Sequence, residues 1–169
     1  CYPSPKYAPI FTSGNYRTDL FPDFPYLCAP QKATTMEDYR KMAEANQRRG
    51  REIIAETQLV ESWEAIGAQA NLIGSLSTGL MMKKLDIDMH VYTDTLSIKE
   101  SFRAAARIAS HPGIVRMEYT NLIDTEEECI EWHAAYRDRD GRMWKMDMIH
   151  IRRGSAYDGF AERMASRIG

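Results

Sequence analysis

The sequence predicts an α/β (α+β) domain in which helices pack on a mixed β-sheet. Three observations lead to this class. Segments of helical period alternate with two apolar strand patterns in the first part of the chain. Three further strand patterns follow one another in the last part, and a hairpin turn joins the final two. With 169 residues, 44% of them hydrophobic and 27% charged, the chain can bury one sizeable core.

Residues 1–33 are predicted to form an extended arm, followed by a domain over residues 34–169. Six of the seven prolines lie in this arm, and proline fixes φ and lacks an N–H donor, which disfavours helices and central strands. The arm is also rich in aromatic residues, which are uncommon in disordered tails. It either packs on the domain, joins two copies into a homodimer, or is a partly ordered tail.

The helices and strands of the domain follow from periodicity and from end signals. A helical pattern over residues 34–64 begins with a capping box at Thr34–Glu37, and Gly50 predicts a kink or a break within it. The remaining predicted elements are, in order, a strand 68–73, a helix 76–83, a strand 85–92, a helix 97–110, strands 114–122, 129–137 and 142–151, and a helix 156–168. Asp140-Gly141 predicts the hairpin between the last two strands.

Charge, hydropathy and cysteine spacing argue against several classes of protein. With 22 basic and 24 acidic residues, the net charge of −2 argues against a nucleic-acid binder held by bulk charge. No apolar run approaches the roughly 20 residues of a membrane helix, and no signal-peptide pattern is present. The three cysteines match no zinc-binding spacing, which is typical of reduced thiols. We therefore expect a cytoplasmic protein without a membrane partner.

Two carboxylates lie two residues apart on one predicted strand. Because side chains alternate across a strand, Asp86 and Asp88 share one face, whereas the apolar residues around them face a core. Neighbouring carboxylates repel each other unless a cation lies between them. Mg²⁺ prefers carboxylate oxygens and is often completed by substrate phosphates, and two such ions can activate an attacking oxygen and stabilise a leaving one. The pair therefore predicts a site for divalent metal ions.

A Gly-Ser pair stands between the strand 68–73 and the short helix that precedes these aspartates. Gly74 allows the backbone to approach a ligand closely, and the start of a helix presents free N–H groups to an anion. The hydroxyl of Ser75 can donate a hydrogen bond to a phosphate oxygen. The segment therefore predicts phosphate binding at one end and metal binding at the other.

A two-metal site commonly needs a third carboxylate from another strand, and Asp147 is the best candidate. It lies within the apolar strand pattern MWKMDMIHI. Glu118, on an earlier strand pattern, is the second choice, whereas Asp138 and Asp140 belong to a hairpin turn that is predicted to be exposed. Lys145 shares a face with Asp147, which predicts a phosphate or a carboxylate as its partner.

Histidine and lysine residues around the motif have simpler interpretations. His90 shares the face of the two aspartates, but a hydrogen-bonded strand histidine is the favoured interpretation. Lys83 and Lys84 are assigned to the end of the short helix, where positive charge suits the helix dipole. His133 and Trp132, on a β pattern, are assigned to packing.

The order of these residues resembles the DNA polymerase beta-type nucleotidyltransferase superfamily. The shared pattern is apolar-Gly-Ser, a spacer of roughly ten residues, Asp-apolar-Asp-apolar, and a later aspartate on a strand. It is carried here by Gly74, Ser75, Asp86, Asp88 and Asp147, and the resemblance covers residues 66–151. The run GSLSTGLMMKKLDIDMHV is also similar to the GrpB-like branch, although the spacing differs by one and the proline after the first lysine is absent.

The resemblance implies a nucleotidyltransferase fold and a two-metal reaction. An NTP would bind with two Mg²⁺ (or Mn²⁺) ions, its NMP would pass to a hydroxyl or phosphate, and pyrophosphate would leave. Gly74 and Ser75 would hold the β- and γ-phosphates, and Asp86 and Asp88 would ligate both metals. Asp147 would ligate the catalytic metal and help to deprotonate the acceptor. Such a transfer depends on in-line placement and on charge neutralisation.

Three functions from different classes remain open at this point. The first is a metal-dependent nucleotidyltransferase acting on a small molecule or a protein, since near-neutral charge disfavours long RNA acceptors. The second is a catalytically silent nucleotide-binding or regulatory protein of the same fold. The third is a glycosyltransferase whose Asp86-x-Asp88 holds a nucleotide sugar through Mn²⁺. The short chain and the Gly-Ser turn argue against the third.

Overall fold

The computed structural model describes residues 35–79, 81, 83–160 and 163. The predicted arm over residues 1–33 lies outside them. The predicted helix 156–168 is described only in part: residues 153–159 form turns and bends, and Phe160 and Arg163 are helical. None of the helices within the described ranges is long and apolar enough to cross a membrane.

Nine helices and strands make up the described part of the chain, and they confirm the predicted class, a mixed sheet with flanking helices. Their bounds are α1 (Met36–Glu56), α2 (Leu59–Glu64), β1 (Gln69–Ile73), α3 (Gly74–Thr78), β2 (Asp86–Thr93), α4 (Ile98–Ala109), β3 (Ile114–Leu122), β4 (Cys129–Arg137) and β5 (Met143–Arg152). The strand order in the sheet is β1-β2-β5-β4-β3. Among the described strands, only β2 and β5 pair in parallel, and the other neighbours are antiparallel.

Helix α1 starts with a capping box, one residue later than predicted. The backbone N–H of Asp38 donates to the Thr35 hydroxyl at 3.2 Å, and the Thr35 N–H donates to the Asp38 carboxylate at 2.9 Å. Both side chains thereby satisfy N–H groups that the first helical turn leaves without a partner.

The predicted break at Gly50 is wrong, because α1 continues through this residue to Glu56. Gly50 is buried against the neighbouring layer: a Cβ atom there would lie 3.0 Å from Leu76 and 3.3 Å from Trp144. The glycine therefore serves close packing of α1 rather than a kink. The break lies at Gln58, whose φ of 50° turns the chain into α2.

The two faces of the sheet differ in burial. On the face covered by helices, β2 contributes Ile87, Met89 and Val91, each at most 1% exposed, and β5 contributes Met146 and Met148. The opposite face carries the polar side chains of the same strands, because neighbours along a strand alternate in direction. This second face, which holds the predicted site, is called the open face below.

The hairpin between β4 and β5 is organised by Asp138, which is buried rather than exposed as predicted. One carboxylate oxygen accepts from the backbone N–H groups of Asp140 (3.0 Å) and Arg142 (2.8 Å). The other accepts from the Arg142 side chain and from the Trp144 indole, both at 3.0 Å. Both carboxylate oxygens of Asp138 therefore accept hydrogen bonds within or beside the turn, whereas Asp140 is exposed.

Candidate metal and nucleotide site

The parallel pairing of β2 with β5 brings the predicted aspartates together on the open face. Asp88 lies directly opposite Asp147, and Asp86 lies opposite Lys145. Adjacent strands are about 4.8 Å apart, so these side chains occupy neighbouring positions. Two segments far apart in sequence thus contribute three carboxylates to one patch of the sheet.

Gly74, at the turn after β1, lies against one of these carboxylates. Its φ is 69°, which favours glycine, and a Cβ atom on it would come within 2.2 Å of the Asp88 Oδ2 atom. Helix α3 begins at Gly74 and ends at Thr78, shorter than the predicted 76–83. The close approach of backbone to carboxylate is therefore the main role of this glycine.

A cleft of about 760 Å³ opens beside this contact. Its lining residues are Met36, Tyr39, Ser75, Lys83, Lys84, Asp86 and Asp88. Residues of the predicted phosphate end and of the predicted metal end therefore line one and the same cleft. Its size suits a drug-sized or nucleotide-sized ligand.

The surroundings of Asp88 disfavour its negative charge. Burial raises the pKa of Asp88, and the charges of Asp147 and Asp86 raise it further, against the opposing effect of Lys145. A divalent cation among these groups would remove the repulsion, and carboxylate oxygens are the ligands that Mg²⁺ and Mn²⁺ accept. The donor set therefore fits the predicted metal ions.

Asp147 has partners on both of its oxygens. Lys145 Nζ lies 2.8 Å from Oδ2, so a carboxylate is the partner of this lysine in the structure. His133 Nδ1 lies 2.6 Å from Oδ1, and the other ring nitrogen lies 3.3 Å from Glu131. The hydrogen bond with Asp147 raises the pKa of His133, burial lowers it, and Glu131 raises it further.

His133 is the residue that reasoning from the sequence missed, because it was assigned to packing. The signal that could have found it is the hairpin register: His133 and Asp147 lie at equal distances in sequence from Asp140, and they pair across β4 and β5. Glu118, the second choice for a third carboxylate, pairs with His133 on its far side and forms an ion pair with Arg116 at 3.4 Å. His90 Nδ1 lies 3.1 Å from the Tyr92 hydroxyl oxygen.

A second acidic group was not predicted. Within the described ranges, the three potential metal ligands whose atoms all lie within 4.8 Å of one another are Glu127, Cys129 and Glu131. Burial raises the pKa of the Cys129 thiol to about 11, and the charges of Glu131 and Glu127 add to this, so the thiol stays protonated near neutral pH. Asp86, Asp88 and Asp147 are also described, but their carboxylate oxygens do not all lie within this distance of one another.

Comparison with known proteins gives matches among solved structures only. No protein-family model and no curated protein matches the chain. A structure of the Cid1 poly(U) polymerase with MgGTP bound is similar, with a TM-score of 0.50 and 15% identity, over 79% of this chain and 43% of that one.

Two further solved structures are similar at lower TM-scores. A cytoplasmic RNA terminal U-transferase has a TM-score of 0.48 and 14% identity, over 78% of this chain and 41% of that one. The polymerase core of TRAMP, an RNA surveillance complex, has a TM-score of 0.47 and 13% identity, over 87% of this chain and 48% of that one. The chain spans less than half the length of each of these proteins.

The structural likeness agrees with the fold that the sequence predicted. At 15% identity, the likeness to the poly(U) polymerase concerns the fold. A nucleotidyltransferase fold was expected from Gly74-Ser75, from Asp86-x-Asp88 and from Asp147 on a later strand. The described part of the chain has a nucleotidyltransferase-like fold.

Proposed function

We propose that the protein is a divalent-metal-dependent nucleotidyltransferase, which moves an NMP from an NTP to an acceptor and releases pyrophosphate. The observation that carries this proposal is the register of β2 and β5, which sets Asp88 beside Asp147, with Gly74 against Asp88. Lys145 offsets only part of the unfavourable surroundings of Asp88, so a structural role alone does not account for the grouping of three carboxylates on a half-buried patch.

Residues on both sides of the carboxylates have roles in this proposal. Asp86, Asp88 and Asp147 hold Mg²⁺ or Mn²⁺, which when bound neutralises phosphate charge and polarises the reacting oxygens. Gly74 and Ser75 receive the β- and γ-phosphates in the adjoining cleft. Lys83 and Lys84 line that cleft, are exposed, and have no ion-pair partner among the described residues, so they are available to phosphate.

The acceptor has room on the other side of Asp86. A second cleft, of about 590 Å³, is lined by residues that include Asp86, His133 and Lys145. An acceptor hydroxyl in this cleft would lie near Asp147, which helps to remove its proton. A small molecule or a protein is the acceptor that near-neutral charge favours. The likeness to a poly(U) polymerase makes the end of an RNA the alternative acceptor.

Pyrophosphate release from NTPs tests the activity. The purified protein is incubated with Mg²⁺, each NTP, and sets of small-molecule, protein and RNA acceptors. We expect release that depends on Mg²⁺ and falls at least about 100-fold in Asp86→Asn and Asp88→Asn, because each removes charge from the metal site. Asp94→Asn is the matched control, since Asp94 follows the same strand but is exposed and pairs with Arg153.

Binding measurements separate the other functions. A rise in melting temperature that requires both NTP and metal, without turnover on any acceptor, would identify a silent nucleotide-binding protein. Stabilisation by UDP-sugars with Mn²⁺, but not by NTPs, would indicate the glycosyltransferase instead. If neither the wild type nor Asp94→Asn binds NTP in a metal-dependent way, the proposal is wrong.

A further inference from the structure

The side chain of His133 lies between two carboxylates on the open face. It pairs with Asp147 in the register of β4 and β5, and its Nδ1 donates to Asp147 Oδ1 at 2.6 Å. Its Nε2 lies 3.3 Å from Glu131 Oε2, on the neighbouring position of its own face of β4. Glu131 thus fixes the far side of the ring while the near side holds Asp147.

The two oxygens of Asp147 have different partners. Strand β5 lies between β4 and β2 in the sheet. Oδ1 is held by His133 on the β4 side, whereas Oδ2 contacts Lys145, which lies opposite Asp86 of β2. Lys145 Nζ contacts Oδ2 at 2.8 Å, and the negative charges of Asp86 and Asp88 also act on this lysine. The ammonium group therefore contacts Asp147 and is close enough to Asp86 and Asp88 for their charges to act on it.

The two side chains that contact Asp147 differ in conformational freedom. The His133 side chain is 30% exposed, has two rotatable bonds, and stands on a strand inside the sheet. The Lys145 side chain is 58% exposed and has a flexible four-carbon stem. The Lys145 contact can be released at little cost, whereas the His133 contact is fixed by the register of the hairpin.

We propose that His133 is a positioning residue for Asp147: it keeps Oδ1 engaged, so that the carboxylate presents Oδ2 to the metal ion when Lys145 moves away. The terminal torsion of an aspartate is broad, so a lone carboxylate samples many orientations. A fixed donor on one oxygen removes that freedom before the metal arrives. Loss of a partner that orients a metal ligand typically costs 10–100-fold in metal affinity or activity.

This inference rests on the proposed function, since it assigns Asp147 to the metal. Its test uses Mn²⁺ alone, measured by electron paramagnetic resonance on metal-free protein, so that it does not depend on turnover. His133→Leu removes the donor and keeps an apolar side chain of similar size. His133→Asn keeps an N–H at the position of Nδ1 and is the matched control.

We expect His133→Leu to weaken Mn²⁺ binding about tenfold and to raise the Mg²⁺ concentration for half-maximal pyrophosphate release by a similar factor. The KM for NTP should stay near its wild-type value, because Gly74, Ser75 and the lysines of the cleft are untouched. His133→Asn should bind Mn²⁺ nearly as the wild type does. Melting temperatures in EDTA identify any variant that has lost its fold.

The outcomes separate the two proposals. Equal Mn²⁺ affinity of the wild type and His133→Leu would overturn the positioning role. Equal loss of Mn²⁺ affinity in His133→Leu and His133→Asn would also overturn it, because the imidazole ring rather than its N–H donor would then be responsible. A wild type that binds Mn²⁺ without turnover refutes the proposed activity, while the comparison of variants still decides the role of His133. A wild type that binds no Mn²⁺ refutes both.

Discussion

At the scale of single residues, the contact between Gly74 and Asp88 links the backbone of one loop to a carboxylate on a neighbouring strand. Gly74 has a positive φ and leaves no room for a Cβ atom. Two independent constraints, backbone conformation and close approach, therefore select glycine here. At Gly79, which ends the same short helix with a φ of 84°, only the first constraint applies among the described residues, whose nearest atom to a Cβ would be 3.8 Å away.

Alanine at these two glycines separates strain from contact. Either substitution costs about 1 kcal/mol, because a non-glycine residue is strained at positive φ. We expect Gly74→Ala, in addition, to displace the Asp88 carboxylate and to weaken Mn²⁺ binding at least about tenfold. Calorimetric melting and Mn²⁺ titration of both variants check this. Equal metal affinity in Gly74→Ala and Gly79→Ala would contradict the importance of the contact.

At the scale of elements, the β4–β5 hairpin carries both His133 and Asp147, so its register sets their alignment. Asp138 fixes the end of the hairpin by accepting four hydrogen bonds from the turn, from Arg142 and from Trp144. A side chain at the end of the hairpin thereby contributes to the geometry of the proposed metal site.

Asp138→Asn tests this contribution. The amide nitrogen of asparagine cannot accept from Arg142 Nε or Trp144 Nε1, and the indole of Trp144 is buried. We expect a loss of about 2 kcal/mol in unfolding free energy, since the lost bonds involve a buried charged acceptor. Urea unfolding measures it. Asp140→Asn, in the same turn but 77% exposed, should change stability little, and an equal loss there would contradict the assignment.

The strands were easier to predict from the sequence than the helices. The bounds of β3 and β4 match the predictions at every end, because alternation of apolar and polar residues continues to the turn signals on each side. In α1, Gly50 looks like a helix breaker, but tertiary packing against Leu76 and Trp144 overrides its local propensity. The break at Gln58 has no strong sequence signal, since a positive φ is unusual for glutamine.

The positions of the candidate site residues could be predicted from the sequence where residue type and strand context agree. Asp86 and Asp88 share a face by alternation alone, and Asp147 stands out as a charge in an apolar strand. Their proximity depends on the parallel pairing of β2 with β5, which no local pattern encodes. His133 could be placed only by extending the hairpin register inward from Asp140, and Asp138 is buried because of Trp144, a partner beyond the turn.

At the scale of the whole molecule, His150 joins several elements in the core. Its Nε2 donates to the hydroxyl of Thr93 at 2.7 Å, and its Nδ1 accepts from Ser101 in α4 at 3.2 Å. The Thr93 hydroxyl in turn donates to the carbonyl of Thr95, and Ser101 accepts from the Trp132 indole. With a neutral imidazole, each of these hydrogen bonds has a donor and an acceptor. A second proton, on Nδ1 of His150, would remove the acceptor for the Ser101 hydroxyl.

The stability of the protein should therefore depend on pH through His150. Burial lowers the pKa of this residue from 6.5 to about 4. Between these values the unfolded chain binds the proton and the folded chain does not, so acid favours unfolding. We expect a loss of up to about 1.4 kcal/mol per pH unit as the pH falls from 6.5 towards 4, and no contribution above pH 7.

Comparison of the wild type with His150→Gln isolates this effect, since glutamine does not titrate. Urea unfolding from pH 4.5 to 8 gives the unfolding free energy of each protein. The difference between the two unfolding free energies is then compared across the pH range. The wild type should lose more stability than the variant on acidification. A difference that stays constant with pH would show that His150 does not carry this dependence.

The parallel pairing of β2 with β5 also decides when the site arises as the chain folds. The strands β3, β4 and β5 can pair locally with their sequence neighbours, but β5 has to reach β2 across α4, β3 and β4. Contacts between such distant segments are slow to form. A growing polypeptide that has left the ribosome as far as β4 already holds Gly74 and two carboxylates, yet it has no third. The three carboxylates of the proposed metal site thus come together in the same step that completes the sheet.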